Sequence, residues 1–183
     1  MAAKAVVVLA EGFEEIEALT PVDVLRRAEA EVTLAGVGGL TIKGAHGVGV
    51  AADAALDDLS ESFDLIVLPG GMPGSKNIGE SAAARELART MLDAGKLVAS
   101  ICAAPVFTLG AWGMLDNRRA TCYQGMEGMF PPSVKFSSER VVVDGNIVTS
   151  RGPGTALEFA LVLAGKLAGE DAAARIARDM IVK

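Results

Sequence analysis

Histidine, cysteine and aromatic residues are scarce in this chain of 183 residues. It contains one histidine, one tryptophan, one tyrosine and two cysteines, and aromatic residues make up 4% of the sequence. Two cysteines are too few for a disulfide framework, and their surroundings lack the paired spacing of a structural zinc site. We therefore expect no metal centre and ask instead whether either thiol is reactive.

Long apolar runs and clustered positive charge are also missing. The longest apolar stretches, such as residues 5–10 and residues 156–164, in which Glu158 is the one charged residue, are far shorter than the roughly 20 residues that a membrane-spanning helix needs. The formal net charge is -6, and the lysines and arginines are scattered, so no positive field is available to hold a phosphate backbone. We predict neither a membrane segment nor a nucleic-acid partner. The first residues lead directly into a strand-like run without a targeting signal, so we expect a cytoplasmic protein.

Short β-branched runs alternate with helical patterns along the whole chain. The strand-like runs lie at 5–10, 32–35, 64–68, 96–101 and 146–149, and the helical patterns at 14–30, 81–94 and 155–167. In the first helical pattern, the spacing of Ile16, Leu19, Val22 and Leu25 predicts one buried helix face. The short runs 40–42 and 48–50 predict a small hairpin, and the Asp144-Gly145 pair predicts a second. This alternation predicts an α/β fold with a mostly parallel sheet covered by helices on both faces. Hydrophobic residues make up 51% of the chain, and the length favours a single domain over residues 1–183.

The turns that follow predicted parallel strands are the first places to look for chemistry, because ligands of such sheets bind beyond the carboxyl ends of the strands. Cys102 occupies one of these turns, between a strand and a segment that Pro105 favours as the first turn of a helix. Backbone N–H groups and the helix dipole at such a turn lower the pKa of a thiol and make it nucleophilic. The alternative is a buried, inert cysteine that packs as a small hydrophobe.

A reactive thiol usually has a base beside it, most often a histidine. The sole histidine, His46, lies in a glycine-rich stretch and not after a strong strand, so a local Cys–His pair is doubtful. Carboxylates are the remaining candidates, and Glu17 stands near the start of the first predicted helix, close to Phe13 and Ile16. Apolar neighbours raise the pKa of a carboxyl and keep it protonated. The alternative is that Glu14, Glu15 and Glu17 are ordinary acids of a first helical turn.

Two further turns offer anion-binding groups. Gly70 and Gly71 end a predicted strand, where they either form a simple turn or expose N–H groups that stabilise an oxyanion. Arg151 follows the last predicted strand, where it either binds an anionic group of a substrate or forms a surface ion pair.

Five segments, in chain order, resemble the PfpI superfamily in the branch of the parkinsonism-associated protein deglycase. They are Ala10-Glu-Gly-Phe-Glu-Glu-Ile-Glu17, Pro21-Val-Asp-Val-Leu-Arg-Arg27, Val67-Leu-Pro-Gly-Gly71, Ala99-Ser-Ile-Cys-Ala-Ala-Pro105 and Thr149-Ser-Arg-Gly-Pro-Gly-Thr155. The resemblance implies a flavodoxin-like three-layer α/β/α sandwich, usually a homodimer. It also implies a reactive cysteine, Cys102, on a strained nucleophile elbow.

The same resemblance assigns roles to other positions. It implies that Glu17 is the protonated carboxyl partner and that the N–H groups of Gly71 and Ala103 hold an oxyanion. Where the best-known relatives carry a histidine near the cysteine, this chain has Tyr123. We interpret Tyr123 either as a substrate-orienting hydroxyl or as a packing residue. Arg27 and His46 correspond to positions that approach the site of the neighbouring subunit.

The activity implied by the resemblance is a glyoxalase reaction without glutathione, cofactor or metal, in which small dicarbonyls become hydroxy acids. Repair of glyoxal-modified amines or thiols is a related possibility. The alternative is a redox sensor or oxidation-dependent chaperone in which Cys102 becomes a sulfinic acid. Cys122 could bridge to Cys102 if the Cα atoms lie within roughly 7 Å, but we interpret it as a packed, inert thiol.

Overall fold

The computed structural model describes residues 2–182, which contain five α-helices and eleven strands. The helices are α1 (Glu15–Arg27), α2 (Gly74–Glu80), α3 (Ala82–Asp93), α4 (Ala156–Ala168) and α5 (Glu170–Asp179). The strands are β1 (Lys4–Leu9), β2 (Glu31–Gly36), β3 (Thr41–Lys43), β4 (Gly49–Ala51), β5 (Ala54–Ala55), β6 (Leu65–Leu68), β7 (Leu97–Ile101), β8 (Arg119–Ala120), β9 (Lys135–Phe136), β10 (Val141–Asp144) and β11 (Ile147–Ser150). No helix within the described residues is long and apolar enough to cross a membrane.

Seven of these strands form one sheet in the order β10-β11-β7-β6-β1-β2-β5. All neighbours are parallel except β10 and β11, which pair antiparallel at one edge. The central order β2-β1-β6-β7-β11 is that of a flavodoxin-like fold, and the direction of chain progression reverses between β1 and β6. The predicted mostly parallel sheet is therefore confirmed.

Strand β1 shows why helices must cover both faces of the sheet. Its residues Ala5, Val7 and Leu9 pack in one apolar cluster with α1, α4 and α5, whereas Val6 and Val8 pack in a second cluster with α2 and α3. All five side chains are fully buried. A continuous apolar run with both faces buried is typical of a central parallel strand. The three-layer sandwich keeps both faces of such a strand away from water.

Local signals in the sequence explain several boundaries. Ser81 caps α3 by accepting a hydrogen bond from the amide of Ala84 over 3.2 Å, and Gly95 follows this helix with a φ of 72°. The predicted hairpin around Asp144 and Gly145 is the antiparallel pair β10 and β11, in which Asp144 pairs with Ile147. The hairpin predicted between residues 40 and 50 is also present as β3 and β4.

Three features differ from the prediction. Helix α2 was not predicted, because its sequence Gly74–Glu80 has a single large apolar residue, Ile78. The segment after Cys102 is helical, but Val106–Gly110 forms a π-helical turn. Ile16, which the helical spacing placed on the buried face of α1, is 54% exposed. The face of α1 that packs on the sheet is instead formed by Ala18, Pro21, Val22, Val24 and Leu25, together with Glu17.

Short 3₁₀ segments complete the chain at Leu56–Asp58, Glu127–Met129 and Pro153–Thr155. The last of these directly follows β11 and leads into α4. It therefore lies at the same edge of the sheet as the turns after β1, β6 and β7, which form the candidate site.

Candidate active site

The carboxyl ends of β1, β6 and β7 lie side by side, because these strands are consecutive neighbours in the sheet. The turn after β1 leads to Glu17 on α1, the turn after β6 contains Gly70 and Gly71, and β7 ends directly at Cys102. The reversal of chain direction falls between β1 and β6, which is where ligands bind in folds of this kind. Three distant parts of the sequence thus meet at one edge of the sheet.

Cys102 has a strained backbone that its neighbours hold in place. Its φ is 68°, in the left-handed region that residues with a side chain rarely adopt. The Cys102 amide donates to the carbonyl of Ser150 over 2.9 Å, and the Cys102 carbonyl accepts from the amide of Tyr123 over 2.8 Å. This conformation aims the side chain away from the sheet and towards the groups that follow the neighbouring strands.

Two backbone N–H groups point at the sulfur of Cys102. They belong to Gly71 and Ala103, and both act to lower the pKa of the thiol. Neither amide donates to a backbone carbonyl within residues 2–182. Donors that are fixed by the fold and free of other partners can stabilise negative charge on the sulfur or on an oxygen attached next to it.

Glu17 is a carboxyl enclosed by the protein, with 0% of its surface exposed. Its Oε2 accepts a hydrogen bond from the amide of Gly70 over 2.9 Å, whereas its buried Oε1 has no conventional partner in the described part of the chain. Burial raises the pKa of Glu17 to about 7, although the Cys102 thiol and the Gly70 amide act in the opposite direction.

The thiol of Cys102 is less acidic than its position in the turn predicts. Burial and the negative charge of Glu17 raise its pKa, and they outweigh the amides of Gly71 and Ala103. Cys102 and Glu17 therefore titrate as a coupled pair, in which the negative charge of Glu17 raises the pKa of the thiol. When Glu17 holds that proton, its repulsion of the thiolate disappears and its O–H can donate to the sulfur. The expectation that the turn alone produces a thiolate is therefore corrected, because the pKa of the thiol also depends on whether Glu17 is protonated.

The cavity above Cys102 has a volume of about 420 Å³. Its lining is largely apolar and contains one acidic side chain, Glu14, and one aromatic ring, Tyr123; the lining residues are Glu14, Gly71, Met72, Cys102, Ala103, Tyr123, Gln124, Gly125, Met126 and Pro153. Cys102 is 8% exposed at the floor of this cavity. A small molecule can therefore reach the sulfur from solvent.

Tyr123 is half exposed at the wall of this cavity. Its ring stands against Gly152, where an added Cβ would lie 3.2 Å from Cδ2 of the tyrosine. The close approach fits a packing role for the ring at the wall of this cavity.

The structure places two predicted residues outside the Cys102 cavity. Arg151 is paired with Glu127 over 3.4 Å and donates to the carbonyl of Ser138, and it lines a neighbouring cavity that also includes Tyr123. Arg27 is in the last turn of α1, where it forms an ion pair with Asp23 over 3.1 Å. Within one chain, neither arginine is positioned to touch a molecule bound to Cys102.

Both cysteines are free thiols, and they pack in different parts of the core. Cys102 belongs to the apolar cluster on the α1 and α4 side of the sheet, and Cys122 to the cluster on the other side. Cys122 is fully buried, and burial, followed by the nearby Glu127, raises its pKa to about 12. Its surroundings are those of a packed thiol that is poorly reactive.

His46 lies on the loop between β3 and β4, and its imidazole contacts acids and not the thiol. Its Nδ1 is 3.0 Å from Oε2 of Glu15. Sequence reasoning missed Glu15 as a partner of His46 and Glu14 as a wall of the Cys102 cavity. The available signal was the run of acids directly after β1, which also describes an ordinary first helical turn.

Comparison with known proteins gives a consistent set of similarities. A model of the DJ-1/PfpI family matches residues 3–166. Protein dj-1beta of Drosophila melanogaster is 41% identical over 100% of this chain and 98% of its own length. The glutathione-independent glyoxalase DJR-1.2 of Caenorhabditis elegans is 36% identical over 88% of this chain and 86% of its own length.

Solved structures and longer relatives add to this set. The structure of oxidized Toxoplasma gondii DJ-1 matches with a TM-score of 0.95 and 39% identity over 98% of both chains. Protein DJ-1 homologs B and A of Arabidopsis thaliana are 37% and 38% identical, but this chain spans only 42% and 45% of their lengths.

Proposed function

The chain belongs to the DJ-1/PfpI family, and on that premise we propose that it is a cofactor-independent glyoxalase that converts methylglyoxal to lactate and glyoxal to glycolate. The observation that carries the proposal is the pairing of the Cys102 thiol with the buried carboxyl of Glu17, beneath an accessible cavity. The C. elegans relative named as a glutathione-independent glyoxalase supports the same class of reaction.

In the first step the Cys102 thiolate adds to the aldehyde carbon of the dicarbonyl. A C–S bond forms, the carbonyl π bond breaks, and the negative charge passes from sulfur to the former carbonyl oxygen. The N–H groups of Gly71 and Ala103, which point at the sulfur, are placed to hold this oxyanion. Protonation of the oxygen gives a hemithioacetal. Because Oε2 of Glu17 accepts from Gly70, the transferable proton belongs on Oε1.

The second stage moves hydrogen within the substrate. Glu17, now a carboxylate, takes the proton from the carbon bonded to sulfur and passes it to the oxygen of the neighbouring carbon, which gives an enediol. The hydroxyl on the carbon bonded to sulfur then loses its proton, and the neighbouring carbon gains one. The first carbon is oxidised to a thioester while the second is reduced to an alcohol, so no external oxidant or reductant is needed. Water then cleaves the C–S bond and releases the hydroxy acid and the free thiol. A carboxyl with a pKa of about 7 suits both directions of transfer near neutral pH.

Further expectations accompany this function. Small reactive dicarbonyls are the substrates, glyoxal-modified amines or thiols are additional candidates, and the protein acts as a cytoplasmic homodimer. In a dimer, Arg27 and His46 would approach the partner's site, and light scattering of the purified protein measures whether the dimer exists. Tyr123 would form a wall of the substrate cavity, whereas the ion pair of Arg151 with Glu127 favours a structural role.

The second candidate function is redox sensing at the same thiol, with oxidation-dependent chaperone activity. The Cys102 thiolate would react with two molecules of hydrogen peroxide and yield a sulfinate and two molecules of water. The observation in its favour is the set of donors around the sulfur: the amides of Gly71 and Ala103, and the O–H of protonated Glu17. The same groups that hold an oxyanion would stabilise sulfinate oxygens.

Product analysis with methylglyoxal tests the proposed glyoxalase. We expect wild-type protein to form lactate without glutathione or added metal. Cys102→Ser should abolish lactate formation, and Glu17→Gln should reduce kcat by about 10²- to 10⁴-fold, the usual contribution of a positioned acid or base. Cys122→Ser is the matched control and should retain wild-type turnover, because Cys122 is buried in the other apolar cluster. Wild-type turnover in Cys102→Ser would refute the mechanism.

A further inference from the structure

The Cys102 cavity is larger than the small dicarbonyls of the proposed reaction require. Its volume of about 420 Å³ lies within the range of roughly 300–1,000 Å³ that is usual for sites enclosing drug-sized ligands. Methylglyoxal carries a single methyl group besides its two carbonyls, so most of this space would remain filled with water. The side chains that line the remaining space therefore indicate which larger molecules fit.

Two methionines stand out in this lining. Met72 and Met126 both line the cavity together with Cys102, and they come from different parts of the chain. Met72 is 44% exposed, whereas Met126 is half-buried and packs against both apolar clusters of the core. Apolar surface that faces water in a cavity gains free energy when a ligand with an apolar group covers it.

We propose that the Cys102 cavity selects aldehydes that carry a bulky apolar group, and an aromatic group in particular, which contacts Met72, Met126 and Tyr123. These three side chains are called here the Met–Tyr wall. Resting on the proposed glyoxalase function, this names the substrates as α-oxoaldehydes with an aryl or branched alkyl substituent. Phenylglyoxal, which the same reaction converts to mandelate, represents this class.

The geometry of the reaction directs the substituent into the cavity. Once the aldehyde carbon is bonded to the sulfur of Cys102, its oxygen is held by the amides of Gly71 and Ala103, which point at the sulfur. Glu17 is fully buried and leaves no room for a substituent on its side of the thiol. The remainder of the substrate therefore projects from the floor of the cavity, where Cys102 lies, into the space that the Met–Tyr wall lines.

Backbone hydrogen bonds fix the Met–Tyr wall relative to the sulfur. The amide of Tyr123 donates to the carbonyl of Cys102 over 2.8 Å, and the amide of Met126 donates to the carbonyl of Tyr123 over 3.1 Å. Met72 directly follows Gly71, whose amide points at the sulfur. All three side chains are therefore anchored to the segments that hold the reacting groups.

The chemistry of these side chains suits an aromatic group. The thioether of methionine is polarisable, its unbranched side chain adapts to the shape of a ligand, and sulfur makes favourable contacts with aromatic rings. The half-exposed ring of Tyr123 adds a surface for offset or edge-to-face contact with a second ring. The methyl group of methylglyoxal is too small to make these contacts together.

The Met–Tyr wall lies apart from the segments through which a partner subunit is expected to pack. Met72 belongs to the turn after β6, and Tyr123 and Met126 belong to the segment that follows β8. Neither segment is part of α1 or of the loop between β3 and β4, which carries His46. The wall can therefore act in a dimer that buries that face.

Protection of Cys102 from alkylation tests the wall without turnover. In the Cys122→Ser protein Cys102 is the sole thiol, and an aldehyde that adds reversibly to it slows its reaction with iodoacetamide. Phenylacetaldehyde and acetaldehyde form hemithioacetals of the same kind, so a difference between them reports the contacts of the phenyl group. We expect half-protection at a concentration of phenylacetaldehyde at least about tenfold lower, since even one methylene in an apolar pocket is worth about that factor.

Methionine variants assign this preference to the wall. Met72→Gln and Met126→Gln keep the length of the side chain but make its end polar, so each should lower the preference by about two- to tenfold, the range of a sulfur–aromatic contact. Met72→Leu should retain most of the preference. Met129→Gln is the matched control, because Met129 is an exposed methionine outside the cavity lining. Circular dichroism checks that each variant folds.

Turnover of the two dicarbonyls by the same variants separates the wall from the glyoxalase. The ratio of kcat/KM for phenylglyoxal to kcat/KM for methylglyoxal should fall in Met72→Gln and Met126→Gln and stay at the wild-type value in Met129→Gln. Equal protection by the two aldehydes, or an unchanged preference in a folded double variant of Met72→Gln and Met126→Gln, would overturn the wall. Protection that favours phenylacetaldehyde without turnover of either dicarbonyl would refute the glyoxalase and still support the wall.

Discussion

The amide of Gly70 donates a hydrogen bond to Oε2 of Glu17 over 2.9 Å. This contact links the turn after β6 to the helix after β1, and it decides how the carboxyl can act. An oxygen that accepts a hydrogen bond from an N–H group cannot also carry a proton that points at the same N–H group. The proton of Glu17 therefore belongs on Oε1, the oxygen without a conventional partner, and the carboxyl has one donating side.

Gly70→Ala should strongly reduce catalysis without a chemical change to either reacting group. An added Cβ would collide with Oε2 of Glu17 and would lie 2.5 Å from Cβ of Cys102, so both side chains would have to move. Displacement of reacting groups by about 1 Å costs around 10²-fold in rate, and we expect kcat/KM for methylglyoxal to fall by at least that factor.

Gly128→Ala is the control for this substitution. An added Cβ at Gly128 meets no other atom within 4 Å, and its backbone is not in the left-handed region. We expect its kcat/KM to match the wild type. Full activity in Gly70→Ala would mean that the close contact between Glu17 and Cys102 is not needed for the reaction.

The pH dependence of stability should reveal the buried carboxyl. The pKa of Glu17 is raised from 4.5 to about 7 in the folded protein, so the folded state binds its proton more tightly than the unfolded state. This contribution to stability is complete below about pH 4.5 and is lost as the pH rises through about 7. Glu17→Gln cannot ionise and should remove it. The unfolding free energy of the wild type, relative to Glu17→Gln, should fall by up to about 3 kcal/mol over this range.

Urea unfolding of both proteins at a series of pH values, with a metal chelator present, measures this difference. Cys122→Ser serves as a control whose pH dependence should follow the wild type. A constant difference between wild type and Glu17→Gln from pH 4 to pH 8 would show that Glu17 ionises normally in the fold.

Much of the fold could be predicted because local and tertiary signals agree. Residues 5–9 are apolar without interruption, and the structure buries both faces of this strand. Ser81 and Gly95 mark the ends of α3 through their own backbone chemistry. Helix α2 escaped prediction because its helicity comes from tertiary packing of Ile78 and two small residues and not from an amphipathic pattern.

The site was harder to predict because its key residues contradict the local pattern. On α1 the apolar Ile16 is exposed and the acidic Glu17 is fully buried, which inverts the usual assignment. The approach of Gly70 and Cys102, which follow other strands, accounts for the burial of Glu17. The pKa of Cys102 likewise depends on Glu17, 85 positions earlier in the chain, so the turn sequence alone gave the wrong direction.

Tyr123 substitutions should separate packing from hydrogen bonding. The hydroxyl makes no hydrogen bond with a described side chain, whereas the ring packs against Gly152 and lines the cavity. A neutral hydrogen bond contributes about 1 kcal/mol net, or about fivefold in binding, so Tyr123→Phe should change kcat/KM by less than that. Tyr123→Ala should raise KM because the cavity loses a wall. A loss in Tyr123→Phe as large as that in Tyr123→Ala would instead assign the orienting role to the hydroxyl.

Graded oxidation should distinguish the two cysteines. Cys102 is reachable at the floor of its cavity, and donors to sulfinate oxygens surround it, whereas Cys122 is fully buried in the opposite apolar cluster. Peptide mass analysis after increasing peroxide should therefore show the gain of two oxygen atoms in the peptide that contains Cys102, with the same gain in Cys122→Ser and none in that peptide of Cys102→Ser. Loss of two hydrogens would instead show a bridge between the thiols, and an unchanged mass would exclude Cys102 as a peroxide sensor. Since the sulfinate would occupy the position of the nucleophile, lactate formation should fall in proportion to the oxidised fraction, which makes sensing and catalysis alternative states of one sulfur.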